Sequence, residues 1–106
     1  MTDLEITRLC AQAMGYTSKP LLSLSDIILF VTIPSGHPLL PDHTERYDPL
    51  HDDAQAMALV KKFHIGLAWS GYWSAYEQGN GASGSSADLN YSICECVAKM
   101  MKEKPG

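Results

Sequence analysis

The sequence predicts an α+β fold: a small antiparallel or mixed sheet packed with three helices, in the order α-β-α-β-β-α, as an ABA-type sandwich. Three observations lead there. Three segments carry helix caps and an apolar stripe at helical spacing, one run is apolar and rich in β-formers, and two short alternating runs rich in aromatics flank Ser70-Gly71. Helices that are apolar on one side need a shared sheet to bury them. At 106 residues the chain reads as a single domain, 1–106, able to bury about two thirds of its unfolded surface without metal or disulfide support.

The first helix is expected over Asp3 to Met14. Thr2 and Glu5 match a capping box, Ile6, Leu9, Cys10, Ala13 and Met14 form the apolar face, and Gly15 is placed to end the helix in a left-handed conformation. From Tyr16 to Arg46, prolines 20, 34, 38 and 41 interrupt regular structure. Between them Asp26 to Ile33 reads as a strand covered on both faces, and Gly36 to Arg46 as an irregular loop.

The stretch from Tyr47 to Phe63 reads as the element around which the chain is organised. Asp48 is the expected N-cap, Pro49 fits the first helical position, and Ala56, Met57, Leu59, Val60 and Phe63 make the stripe. In the hairpin that follows, a two-residue turn would set Trp69 opposite Tyr72 and Ala68 opposite Trp73. Aromatics would then lie on both faces, with helices above and below; a longer or bulged turn is the alternative. Gln78 to Ser86 reads as a flexible Gly/Ser/Asn loop. A second capping box, Ser85 with Asp88, opens a helix whose stripe is Leu89, Ile93, Cys96, Val97 and Met100 and which ends near Lys104.

Composition narrows the function. Eight Lys and Arg against twelve Asp and Glu give a net charge of -4, and the largest basic cluster is Lys61-Lys62, which argues against direct nucleic-acid binding. The longest apolar run, Ile27 to Val31, is far shorter than the roughly 20 residues of a membrane span. Three cysteines without a signal-like N-terminus point to a soluble protein of a reducing cytoplasm.

Candidate chemistry is sparse. Gly79-Asn80-Gly81-Ala82-Ser83-Gly84 satisfies G-x-G-x-x-G between a strand and a helix, the place where backbone amides can meet a phosphate. Too little chain follows for the required parallel strand, and Asp88 already holds the positive helix end. His37, Asp42, His43, Asp48, His51, Asp52 and Asp53 are potential metal ligands, yet no H-E-x-x-H or H-x-H spacing fixes two of them on one element. Cys94 and Cys96 point nearly opposite ways on a helix, with Cys96 expected in the core and Cys94 beside the stripe. No nucleophile has a base at a recognisable spacing, so neither catalytic residue, metal nor cofactor is expected and the protein reads as a non-enzyme. The hairpin aromatics Trp69, Tyr72, Trp73 and Tyr76 are the candidate partner-binding residues, with a sheet core as the plainer account.

Tyr47-Asp48-Pro49-Leu50, Asp52-Asp53-Ala54-Gln55, Leu59 to Phe63, the Trp-bearing hairpin, Asp88-Leu89-Asn90 and Ile93 to Met100 together resemble the small phage and prophage proteins grouped as the phage ABA-sandwich domain. Ala11 to Gly15 is similar too, whereas Lys19 to Glu45 is longer and more apolar than that pattern. The resemblance implies a helix-sheet-helix architecture and a phage or prophage origin, and brings no catalytic residue. The expected function is that of an accessory protein binding a host protein, as an anti-defence factor (a CRISPR or restriction inhibitor) or a host-takeover factor. The alternatives are a nucleotide- or metal-binding protein using the Gly79–Gly84 loop or the His/Asp cluster, and a structural homo-oligomer or virion component.

Overall fold

The structure, a computed structural model, describes residues 2–22, 27–33, 36, 38–77 and 82–103. It contains α1 (Asp3–Ala13), β1 (Thr17–Leu22), β2 (Ile27–Ile33), β3 (His43–Arg46), α2 (Asp53–Phe63), β4 (Ile65–Trp69), β5 (Trp73–Glu77), β6 (Ser83–Ser86) and α3 (Leu89–Glu103). The α+β class with three helices is the one expected. The strands are more numerous: β1-β2-β3 form one antiparallel sheet and β4-β5-β6 a second.

The additional strands are those whose composition hides them. β1 contains Pro20, which lacks an amide donor, and it lies at the edge of its sheet, where a strand tolerates that loss. β3 is four polar residues paired, among the described residues, only with β2, and its pairing of Phe30 with Arg46 through Ile33 with His43 corrects the loop expected there. β6 is Ser-Gly-Ser-Ser, read as flexible linker in the sequence, yet it pairs with β5 from Trp73–Ser86 to Tyr76–Ser83.

α3 is the element on which the halves meet. It packs against β5 and β6 on one side and α1 on another, with α2 alongside, while α1 packs on β1 and β2. Ser92, Ile93, Cys94, Cys96, Val97, Ala98 and Met100 are all buried, so the helix is covered well beyond the single stripe expected, and α3 rather than α2 organises the chain. Cys94 and Cys96 point apart as their spacing requires. The Cys94 carbonyl accepts from the Cys10 thiol of α1 at 3.5 Å, and the Cys96 thiol donates to the Ala82 carbonyl at 3.5 Å. Small residues at 92, 94, 96 and 98 let neighbours approach on both sides.

The closest approach is at Gly84. A Cβ there would stand 2.3 Å from the Ser92 carbonyl oxygen and 2.9 Å from the Cys96 nitrogen, both backbone, so only glycine permits this strand–helix contact. Ile6, Leu29, Val31, Leu59 and Val97 complete the core; burying each such side chain is worth roughly 1.5–3 kcal/mol. Lys102 reaches Glu5 at 3.1 Å and ties the end of α3 to the start of α1.

The helix ends follow local chemistry. Thr2 Oγ1 accepts from the Glu5 amide at 3.1 Å, and Gly15 takes φ 81° just past α1, both as expected. α2 starts one turn later than expected, at Asp53 with Asp52 as its cap, and Asp52 accepts from the Gln55 amide at 3.0 Å. The Asp48 carboxylate is held instead by His51 Nδ1 at 3.0 Å and faces Arg46 at 3.8 Å, while its carbonyl closes a separate turn with the His51 and Asp52 amides. At α3 the cap is Asp88, which accepts from the Tyr91 amide at 3.0 Å. Ser85, expected to cap, lies in β6 and donates its amide to Glu95 Oε1 at 3.1 Å.

Candidate functional site

The hairpin β4–β5 carries the candidate partner-binding residues, and its turn decides how they are grouped. Trp69 pairs with Trp73, Ala68 with Ser74 and Leu67 with Ala75, leaving Ser70, Gly71 and Tyr72 as a three-residue turn. Gly71 supplies φ 85°, and the Ser70 amide donates to the Tyr72 carbonyl at 3.1 Å. One more turn residue than the two-residue alternative moves Trp73 to the other face of the strand, because side chains alternate along it. The longer turn is therefore the one formed, and Trp73 joins Trp69 rather than opposing Ala68.

The two indoles lie 5.2 Å apart with planes at 54°, on the face shared with Leu67 and Ala75 that packs toward α3. Trp73 is half-buried at the start of α3, where its carbonyl accepts from Ser92 Oγ at 3.1 Å. Trp69 reaches past that contact and is 59% exposed, with Tyr72 48% exposed at the turn. These three residues form one aromatic tip. Tyr76, 44% exposed, is not part of it: it pairs with Gly66 on the opposite face and its ring occupies the space a Cβ of Gly66 would need. That outer face holds Gly66, Ala68, Ser74, Ser83 and Ser85 besides Tyr76. Those residues are all exposed or half-exposed, so the hairpin is not covered by helices on both faces as expected.

The other sequence candidates are dispersed. His43 faces Glu45 at 3.5 Å, His51 faces Asp48, and Asp53 accepts from the Asn90 amide group at 2.8 Å. Asp42 is exposed, and His37 lies outside the described residues. Among the described residues no three His, Cys, Asp or Glu side chains gather as an ion would need. Of the glycine motif, Gly79, Asn80 and Gly81 lie outside the described residues; Ala82 is buried, Ser83 and Gly84 belong to β6, and Gly84 is committed to the packing of α3.

The thiols are set for packing rather than reaction. Contact with the Cys94 side chain, then burial, holds the Cys10 thiol well above its ordinary range, and burial, then the Glu77 carboxylate, pushes Cys96 from 9.0 up to about 11. Thiolate is the nucleophilic form, so both are poor nucleophiles near neutral pH.

One feature gave no signal in the sequence. Tyr47 stands edge-on to Tyr16 with centroids 5.9 Å apart, beside a cleft of about 260 Å3 lined also by Met14, Glu45, Asp52 and Gln55. Its hydroxyl is buried and meets no hydrogen-bond partner among the described residues, and burial, then Cys10 and Cys94, raises its pKa.

No family model, no curated protein and no solved structure matches the chain. Among the described residues no helix is long and apolar enough to cross a membrane.

Proposed function

We propose that this is a phage- or prophage-encoded accessory protein that acts without catalysis by binding a host protein, as an anti-defence or host-takeover factor working in the bacterial cytoplasm. The reading rests on the sequence resemblance to the phage ABA-sandwich domain and on one structural observation. Trp69 and Tyr72 stand exposed at the end of a hairpin braced on α3 at Trp73, whose backbone carbonyl accepts from Ser92 Oγ. Rigid, half-exposed Trp and Tyr residues on a braced element are the type that dominates binding energy at protein interfaces. The half-buried Trp73 indole, 5.2 Å from that of Trp69, limits the ordering entropy lost on docking.

The test is affinity capture from a bacterial host lysate with the wild-type chain and a Trp69→Ala/Tyr72→Ala variant in parallel. Both substituted side chains are substantially exposed, so the variant should keep the wild-type circular dichroism. The expected result is a host protein enriched by the wild type and reduced at least about tenfold on the variant, the loss that hot-spot truncation of about 1.4 kcal/mol or more produces. Equal enrichment by both chains, or none by either, overturns the reading.

A further inference from the structure

The two sheets have four edges, and three of them are guarded. β1 carries an exposed Lys19 and, at Pro20, a residue with no amide hydrogen to offer, and β3 carries exposed His43 and Arg46 with Glu45. The amide of Ser85 in β6 is taken by the Glu95 carboxylate at 3.1 Å. Charge, proline and side chains that satisfy edge amides are the devices by which sheet proteins prevent strand addition.

The fourth edge, β4, has none of them. It reads Ile-Gly-Leu-Ala-Trp, pairs only with β5 among the described residues, is buried at Ile65, half-exposed at Gly66 and Leu67, and exposed at Ala68 and Trp69. An exposed neutral edge is a template for another strand.

We infer that β4 pairs antiparallel with β4 of a second copy, joining two three-stranded sheets into one of six strands about a two-fold axis. The observations favour a second copy over other occupants because the edge is complementary to itself. Centred on Leu67, the pairing sets Leu67 against its own counterpart and Trp69 against Ile65 of the second copy, all on the face that already carries the apolar side chains. On the outer face Gly66, with the Tyr76 ring over it, meets the small Ala68. With no charge between Ile65 and Trp69, two chains of net charge -4 can meet there without like charges directly opposed. The strands run in opposite directions, so the two aromatic tips lie at opposite ends of the joint, their Trp69 positions roughly 13 Å apart along it at about 3.3 Å per residue.

Sedimentation from micromolar to about 0.5 mM, with amide hydrogen exchange at both ends of that range, tests the joint. The wild type is expected to pass from monomer to dimer, and amides within Ile65–Trp69 to gain protection as it does. Ala68→Lys restores a guard at an exposed position and should raise the dimer dissociation constant about tenfold or more while leaving the monomer folded. A wild type that stays monomeric throughout, a dimer without added protection in β4, or one that Ala68→Lys leaves unweakened overturns the inference. Loss of dimer in Ala68→Lys with host capture intact separates this joint from the binding reading at Trp69 and Tyr72.

Discussion

Both sheets are three antiparallel strands in chain order, but they reach the helices by opposite means. The first presses side chains inward: Leu29 and Val31 of β2, the strand that packs on α1, are buried. The second withdraws them: Gly84 and Ala75, which are register partners, lie flat so that the backbone of α3 can approach. A contact made by filling space and one made by emptying it leave different marks in a sequence, and they fail differently under substitution.

The largest expected effect is at Gly84. Gly84→Ala forces a methyl into backbone that cannot rotate aside and should cost about 3 kcal/mol, the upper part of the usual overpacking range, measured by urea denaturation. Gly66→Ala is its control within the same sheet. The obstacle there is the far end of the Tyr76 side chain, which can swing into solvent, so a change within about 0.5 kcal/mol is expected. Equal costs at the two glycines would remove the distinction between backbone and side-chain contact.

Next in size is the effect of alkaline pH, which acts on both sides of α3. Cys96 titrates at 9.0 ordinarily and at about 11 in the fold, and Cys10 is raised as well. The unfolded chain therefore releases these protons first, and the native state holds more of them between those values. The stability this represents is fully present below pH 9 and is lost as the pH climbs toward 11. Denaturation midpoints should fall across that window, and Cys96→Ala should flatten the part that arises at the β6 side.

The smallest is at the cap of α3. Asp88→Ala removes the acceptor of the Tyr91 amide and should cost about 1 kcal/mol by urea denaturation, felt directly in the β4-β5-β6 sheet and through α1 in the other.

How much of this was legible follows from the same contrast. α1 with its Thr2 cap and Gly15 stop, the strand at 27–33 and the presence of the hairpin could be read, because each announces itself by apolar spacing or by a capping side chain. β6 could not, since its register is imposed by β5 and its depth by a missing side chain. β1 was hidden by a proline that its edge position excuses, and β3 by its polarity. The start of α2 was misplaced by a turn because Asp48 found a partner in His51, a choice between two local donors that spacing alone does not decide. Of the candidate site, the aromatic residues were visible but not their grouping. One extra turn residue carried Trp73 to the side of Trp69 and left Tyr76 behind.

The position of α3 in the chain also governs how the protein can be made. It follows every other described element, so in a nascent chain emerging at about 5–20 residues per second β5 and β6 are made before the helix that covers them, while α1 is already present for the first sheet. Until then the apolar sides of α1 and of β5 stay open to water and to other molecules, and a ribosome-released fragment ending before Leu89 would have two incomplete halves instead of one finished one.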